Sequence, residues 1–504
     1  MPTRLQDTPL LVILSGIAAV LCLVPAAHGF MTGDDPTARG FLYSGLMLGL
    51  LVVMVALATS HRVPRLMPRS NLAALAGAYL LLPVAMALPV MQTVPDTQFA
   101  NAWFEMLSAF TTTGATVYPD AGRLPPSVHL WRALVGWFGG LLILVAAFAI
   151  LAPLNLGGIE VISGRVPGRS AMEGPQGSRN SDPSERIVRT ALMIIPAYGG
   201  LTLVLWIGLM SFGAPALDAL CIALSTLSTS GITAGTGVGV AGLGGEALVF
   251  LFLLFAVSRR AMPGPRFFEA TRVWWRDPEG LAALVLLITV PGVLFLRHFL
   301  GGSPAGDEGD NPQGLRAIWG AVFTTLSFLT TAGFQSEAWT SARGWSGLGA
   351  PGLILLGLAI VGGGVATTAG GVKLLRVYAL FRHSERELEL IIHPHSVGGR
   401  GRGARLLRRE GAYMAWIFFM LFATSIGLFV AVLTLIGVDF ETALVLSVAA
   451  LTTTGPLADV AAATPIAYAP LGNGVKLALG LAMIVGRLET LALLALVAPG
   501  SWRR

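Results

Sequence analysis

The sequence predicts an all-α polytopic membrane protein: two N-terminal helices followed by four pseudo-symmetric helix–pore-loop–helix repeats around one pore, ten transmembrane spans in all. Three observations predict it. Of 504 residues, 54% are hydrophobic and only 12% charged, with a mean hydropathy of +0.73, whereas soluble domains carry about 25% charge. Apolar runs of bilayer-crossing length recur along the whole chain. A short polar patch, rich in Thr and ending in Gly, occurs four times: "FTTTGATV" from Phe110, "STSGI" from Ser228, "LTTAGF" from Leu329 and "LTTTGP" from Leu451.

The apolar runs lie at 9–30, 41–59, 71–91, 127–153, 187–211, 245–263, 279–300, 348–380, 411–437 and 472–498. The first has Arg4 before it and small residues after it, as a signal peptide would, but it exceeds the roughly 7–15 apolar residues of such a segment. It is read as a retained helix. The net charge of +6 does not indicate nucleic acid, because the arginines fall in short connections between apolar runs. Arg62, Arg65 and Arg69 follow the second run, Arg165 to Arg189 the fourth, Arg259 to Arg276 the sixth and Arg382 to Arg409 the eighth, and Arg503 and Arg504 end the chain. The alternate connections carry acids such as Asp34, Asp35, Asp307 and Glu308. By the positive-inside rule both termini are cytoplasmic. Cys22 and Cys221 sit in apolar stretches with no disulfide or metal spacing, and the His-Pro-His at 393–395 reads as a solvated loop.

All four Thr-Gly patches fall in external connections. Each follows an apolar stretch of about a dozen residues: "FANAWFEMLSAF", "ALDALCIALSTL", "LRAIWGAVFTTLSFL" and "FETALVLSVAAL". These stretches are too short to cross a bilayer and too apolar for a solvated loop, so each reads as re-entrant. Irregular backbone at membrane depth survives where it lines a water-filled path. The predicted organisation is therefore two N-terminal helices over 1–69, and repeats over 70–155, 186–264, 279–381 and 408–499.

One such patch alone reads equally well as close helix packing; four at one position of a four-fold repeat do not. A dehydrated alkali cation needs oxygen ligands in place of its water, which backbone carbonyls supply and Gly geometry presents. Threonine adds a hydroxyl without charge, and the C-terminal end of each re-entrant helix adds partial negative charge. Glu105, Asp218 and Glu441, early in three of these helices, read as caps and dipole partners.

At these loops the chain resembles the Trk/Ktr/HKT superfamily of potassium transporters, most closely its TrkH-type bacterial members, and the resemblance covers nearly the whole chain. "FTTTGATV" is similar to that family's first filter loop, and the TrkH type also carries two extra N-terminal helices. The resemblance implies filter positions at Thr112, Thr113 and Gly114; Thr229, Ser230 and Gly231; Thr331, Ala332 and Gly333; and Thr453, Thr454 and Gly455. It implies potassium as the only metal, carried as substrate, with no cofactor in this chain. In plant members a first-loop Ser goes with sodium preference, whereas here Gly stands in all four loops. The second loop lacks the family's paired glycines, and the fourth has Thr where Asn is common.

"VGGGVATTAGGVKLLR", residues 361–376, puts five glycines and two threonines into the eighth run, where each Gly costs a helix about 0.8–1 kcal/mol relative to Ala. A break is expected. No Gly-Lys-Ser/Thr follows, so it is not a phosphate loop. The resemblance implies an intramembrane gating loop here, with Gly362, Gly363, Gly364, Thr367, Thr368, Gly370, Gly371 and Lys373 in it. Lys373 and Arg376 read equally well as positive anchors at the membrane edge. Arg487, mid-run in "GRLE", is expensive there unless it faces a cavity. The same four letters in the family's last span imply a pore-facing Arg487 below the filter; it is expected to pair with loop oxygens near Thr367 and Thr368, with a structural salt bridge as the plainer alternative.

The expected function is potassium uptake across the bacterial inner membrane. The alternative is a secondary transporter of sodium or a small solute, which would carry inverted repeats with helices broken in matching halves. No catalytic motif points to an enzyme. The Arg-rich loops near 155–190 and 382–409 suit an acidic or nucleotide-regulated partner, and the resemblance implies a homodimer on a cytosolic ring of TrkA-type nucleotide-binding subunits. Beyond these and the membrane lipid, no partner is expected.

Overall fold

A computed structural model describes residues 9–59, 67–163, 183–258, 277–300, 311–346, 352–393, 409–462 and 464–497. The arginines at 62–65, 165–179, 259–276, 400–408 and 503–504, the acids at 307–310 and His395 lie outside the described residues. Among the described residues the regular structure is helical, without strands.

Helix α1 (Leu10–Thr32) is followed by α2 (Asp35–Thr59) and α3 (Met67–Thr93). The first short helix, α4 (Phe99–Phe110), leads into the long α5 (Pro126–Ala146). The second unit consists of α6 (Pro183–Ser211), the short α7 (Ala216–Ser228) and α8 (Gly242–Leu253). In the third, α9 (Pro278–Leu300) and α10 (Asn311–Leu329) precede a helix not anticipated from the sequence, α11 (Trp339–Ser346), and then α12 (Gly352–Val361) and α13 (Leu374–Ile392). The last contains α14 (Arg409–Leu435), the short α15 (Phe440–Leu451), α16 (Asn473–Leu488) and α17 (Thr490–Val497).

Eight helices among the described residues are long and apolar enough to cross a membrane. Two of the ten predicted runs are not continuous. The eighth breaks, as its glycines require, into α12 and α13 around residues 362–373. The tenth, read from the sequence as unbroken, is interrupted at Glu489, whose φ of 62° no α-helix accommodates.

The short helices are the core. From Phe104 to Phe110 every residue of α4 is buried, as is every residue of α15 from Val445 to Leu451. A helix apolar on all sides is a buried helix. By contrast α2 leaves Leu46, Leu50, Leu51 and Met54 exposed, and α6 leaves Leu192, Leu203 and Ile207 exposed, which in a bilayer is contact with lipid.

Each short helix packs on the long helix before it, and also on the closing helix of another unit. Thus α5 lies against α7, α8 against α10, α12 against α15, and α16 returns to α4. The helices α1 and α2 stand outside this circuit, packed on α3, with the C-terminal part of α1 also on α5.

Candidate ion pathway

Each short helix ends in the same tight turn. A threonine two residues before the loop glycine adopts left-handed φ: Thr112 at 56°, Thr229 at 51°, Thr331 at 57° and Thr453 at 53°. A β-branched residue there is a genuine outlier, of the kind that clusters at functional sites. The next residue folds back onto the helix four times over. Thr113 N–H donates to Ser108 O at 2.8 Å, Ser230 to Ser225 at 3.0 Å, Ala332 to Ser327 at 2.9 Å and Thr454 to Ala449 at 2.8 Å. The helix carbonyls are thereby satisfied, and among the described residues the carbonyls of the four threonines accept no hydrogen bond.

The four turns touch one another in sequence around a ring. A Cβ added at Gly114 would collide with Ser230 O, one at Gly231 with Ala332 O, one at Gly333 with the Pro456 ring, and one at Gly455 with the Ala115 backbone. The middle and threonine positions are buried; Gly114 and Gly231 are half-buried and open, with Gly333 and Pro456, onto a cavity of about 350 Å3.

The fourth turn departs from the other three. Gly114, Gly231 and Gly333 have φ of 73°, 66° and 75°, whereas Gly455 lies outside the left-handed region. Its N–H donates to Thr113 O at 2.6 Å, and its carbonyl accepts from Ala458 N–H at 3.1 Å and from the Tyr468 hydroxyl at 3.0 Å. Pro456 caps the short helix Leu457–Val460, which draws the chain into helical hydrogen bonding, whereas no helix directly follows the glycine of the other three loops.

Two buried carboxylates hold the chain beyond the ring. Glu105 accepts from Val117 N–H at 2.9 Å and from the Thr116 hydroxyl at 3.2 Å, and pairs with Arg132 Nε at 2.6 Å. Glu246 accepts from Glu337 N–H at 2.9 Å, the Ser336 hydroxyl at 2.8 Å and Trp319 Nε1 at 2.8 Å.

On the opposite side of the ring from the cavity lies the loop over 362–373, buried along its whole length apart from the helix ends that carry it. Gly370 N–H donates to the Thr331 hydroxyl at 2.7 Å, and a Cβ on Gly370 would meet Thr452 O and Thr453 Oγ1. The Thr368 hydroxyl reaches Leu227 O at 3.2 Å, and Val365 N–H donates to Glu279 at 2.8 Å. Arg487 Nη1 donates to Thr368 O at 2.6 Å, while Thr367 bonds within the loop to Gly364 O at 2.7 Å. A gap of only about 30 Å3 remains between the loop, Arg487 and Glu489.

These features place four turns in a ring, with a cavity on one side and a buried loop on the other. A family model described as a cation transport protein, TrkH, matches residues 46–235 and 309–503. The chain belongs to the TrkH family. It is 30% identical over 427 residues to the Trk system potassium uptake protein TrkH of Salmonella typhimurium, covering 83% of this chain and 82% of that protein. It is 27% identical to the Trk system potassium uptake protein TrkI of Halomonas elongata, over 99% of each chain. The crystal structure of the potassium transporter TrkH from Vibrio parahaemolyticus superposes with a TM-score of 0.82 at 25% identity, over the full length of both chains. This is a family of multi-pass membrane transport proteins, not of enzymes.

In this TrkH-family chain the twelve residues singled out in the four loops all fall on the ring, and the loop glycines and threonines of 362–371 all lie beneath it. Lys373 and Arg376, read equally well as positive anchors, are both buried inside the protein. Lys373 Nζ donates to Ala369 O, and Arg376 bridges Glu160 at 2.6 Å and Glu489 at 2.7 Å under the Phe418 ring, 3.6 Å away. Glu489 therefore pairs with Arg376. Glu105, read as a helix cap, is buried in an ion pair, because the chain after its own loop folds back over it. Arg132, Glu160, Glu246 and Tyr468 were missed. A charge amid an apolar stretch marked the first and third; nothing local marked the others. Among the described residues no cluster of His, Cys, Asp and Glu could hold a metal.

Proposed function

We propose that this chain conducts potassium into the cell across the bacterial inner membrane, through a filter formed by the four loops and closed by the loop over 362–373. The observation that carries the reading is the recurrence of one strained turn in four loops that touch around a ring, each turn leaving a threonine carbonyl free of protein donors. Uncharged oxygens in that number replace the hydration shell of an alkali cation without binding it too tightly to leave. The relatives named above, potassium uptake proteins and a potassium transporter, make potassium the cation of choice.

The repeats over 70–155, 186–264, 279–381 and 408–499 supply one wall each, and the two N-terminal helices stand beside them. Arg487, with its contact to Thr368 O, holds the loop under the filter and adds a positive barrier there, and Lys373 ties the loop to itself. Homodimerisation, cytoplasmic termini and a cytosolic TrkA-type ring complete the proposal. A small-solute carrier would need a roomy midplane site; the space beneath the ring is filled by loop.

Cation flux into proteoliposomes tests the function. Potassium and rubidium should enter faster than sodium and lithium. Equal sodium and potassium entry would remove the potassium assignment, and the absence of any cation flux in the presence of the regulatory ring would remove the conduction reading.

A further inference from the structure

We propose that Glu246 is a positioning residue for the third loop of the filter and that its buried charge is balanced by the cation held in the ring. The inference rests on the filter reading above.

Glu246 belongs to α8, the closing helix of the second unit, yet every hydrogen bond it accepts comes from the third. Oε1 takes the Glu337 N–H, and Oε2 takes both the Ser336 hydroxyl and Trp319 Nε1. The Ser336 hydroxyl in turn accepts from Ala338 N–H at 3.1 Å, at the entrance to α11. Two residues separate Ser336 from Gly333, so the carboxylate fixes the chain immediately after the ring. It also fixes the helix before the ring, because Trp319 lies on α10. One side chain therefore clamps both arms of a loop in the neighbouring unit. Glu246 is 3% exposed and Ser336 5%, so water does not share these bonds.

Glu105 holds the first loop in a similar way, one residue nearer the loop glycine, at Thr116 and Val117, but Arg132 neutralises it. Among the described residues Glu246 has no basic partner. A buried carboxylate held by three neutral donors remains a net negative charge, and such a charge is costly unless something positive stands near it. A cation held in the ring would supply that positive charge, and the clamp grips the chain three residues on from Gly333. The two clamps thus differ in one respect: the first is electrically closed and the third is left open to the ion.

All three of the groups facing Glu246 are donors, so Glu246→Gln changes no volume but sets an amide N–H2 against at least one of them. Wild type, Glu246→Gln, Ser336→Ala and Gly333→Ser are compared for rubidium and sodium flux in proteoliposomes, with thermal unfolding of each measured in parallel. Gly333→Ser tests the filter itself and is expected to lower the rubidium-to-sodium ratio. Glu246→Gln should lower that ratio roughly tenfold, the worth of one hydrogen bond to a charged acceptor, and raise the rubidium concentration needed for half-maximal flux. Ser336→Ala, which removes one donor and leaves the carboxylate, should lower the ratio less and leave half-saturation near wild type. Should Glu246→Gln fail to fold, Ser336→Ala alone decides by its ratio. A wild-type ratio in Glu246→Gln and Ser336→Ala alongside an altered one in Gly333→Ser would make Glu246 a purely structural group and overturn the inference. A wild-type ratio in Gly333→Ser would instead overturn the filter reading, and this inference with it.

Discussion

Threonine is a poor residue for left-handed backbone, where its branched Cβ crowds the following carbonyl, yet four of them adopt it. The strain is held by the bonds that fold the next residue back onto its helix, and by the neighbouring turns that leave a loop glycine no space for a Cβ. Charge at this scale concerns the mouth. Asp459 opens onto the cavity above the ring, where the packed protein around it pushes its carboxyl up to about 6. The charged form, which concentrates cations at the entrance, is therefore present above that pH and lost below it. Rubidium flux at limiting rubidium should fall roughly twofold to threefold between pH 7 and pH 5, about what one nearby charge changes in local cation concentration, and Asp459→Asn should flatten the profile. A profile identical in wild type and variant would remove Asp459 from the entrance. At the residue scale the sequence displayed what local contrast reveals. Arg487 stood out against its apolar neighbours, and the Thr-Gly steps against theirs. Tyr468 and Glu160 did not, because the groups that give them meaning are distant in the chain, Arg376 lying 216 residues from Glu160.

The elements obey two rules that compete at the breaks. Length and hydropathy separate helices long enough to cross a membrane from shorter apolar ones, and for that reason all four short helices were legible before any coordinates. Glycine content made the break after Val361 legible as well. The break at Glu489 was not, since "GRLE" contains nothing a helix refuses; it opens because Glu489 turns to Arg376 while Arg487 turns to Thr368 O. Between α12 and α13 the loop is held beneath the ring in part by the bond from Gly370 N–H to the Thr331 hydroxyl. Gly370→Ala drives a Cβ into the Thr452 carbonyl and should displace the loop. Since one such bond is worth about 1 kcal/mol, ungated rubidium flux without a regulatory partner should rise about fivefold. Unchanged or reduced basal flux would mean that this loop does not close the path.

At the scale of the whole molecule, the closing helix of each unit seats the short helix of another, and α16 against α4 completes the circuit. This closure was only partly legible. Four similar patches implied four walls, but no sequence pattern reveals which wall adjoins which, nor that the fourth turn bonds into its own following helix through Pro456, Ala458 and Tyr468. That face of the ring is consequently uneven, while the threonine level beneath it keeps four carbonyls that accept no hydrogen bond among the described residues. The central claim is that a cation sits at that level. Anomalous scattering from crystals grown in rubidium locates it most directly. The account predicts rubidium on the axis among the carbonyls of Thr112, Thr229, Thr331 and Thr453. Rubidium bound elsewhere in the protein, with that level empty, would contradict it.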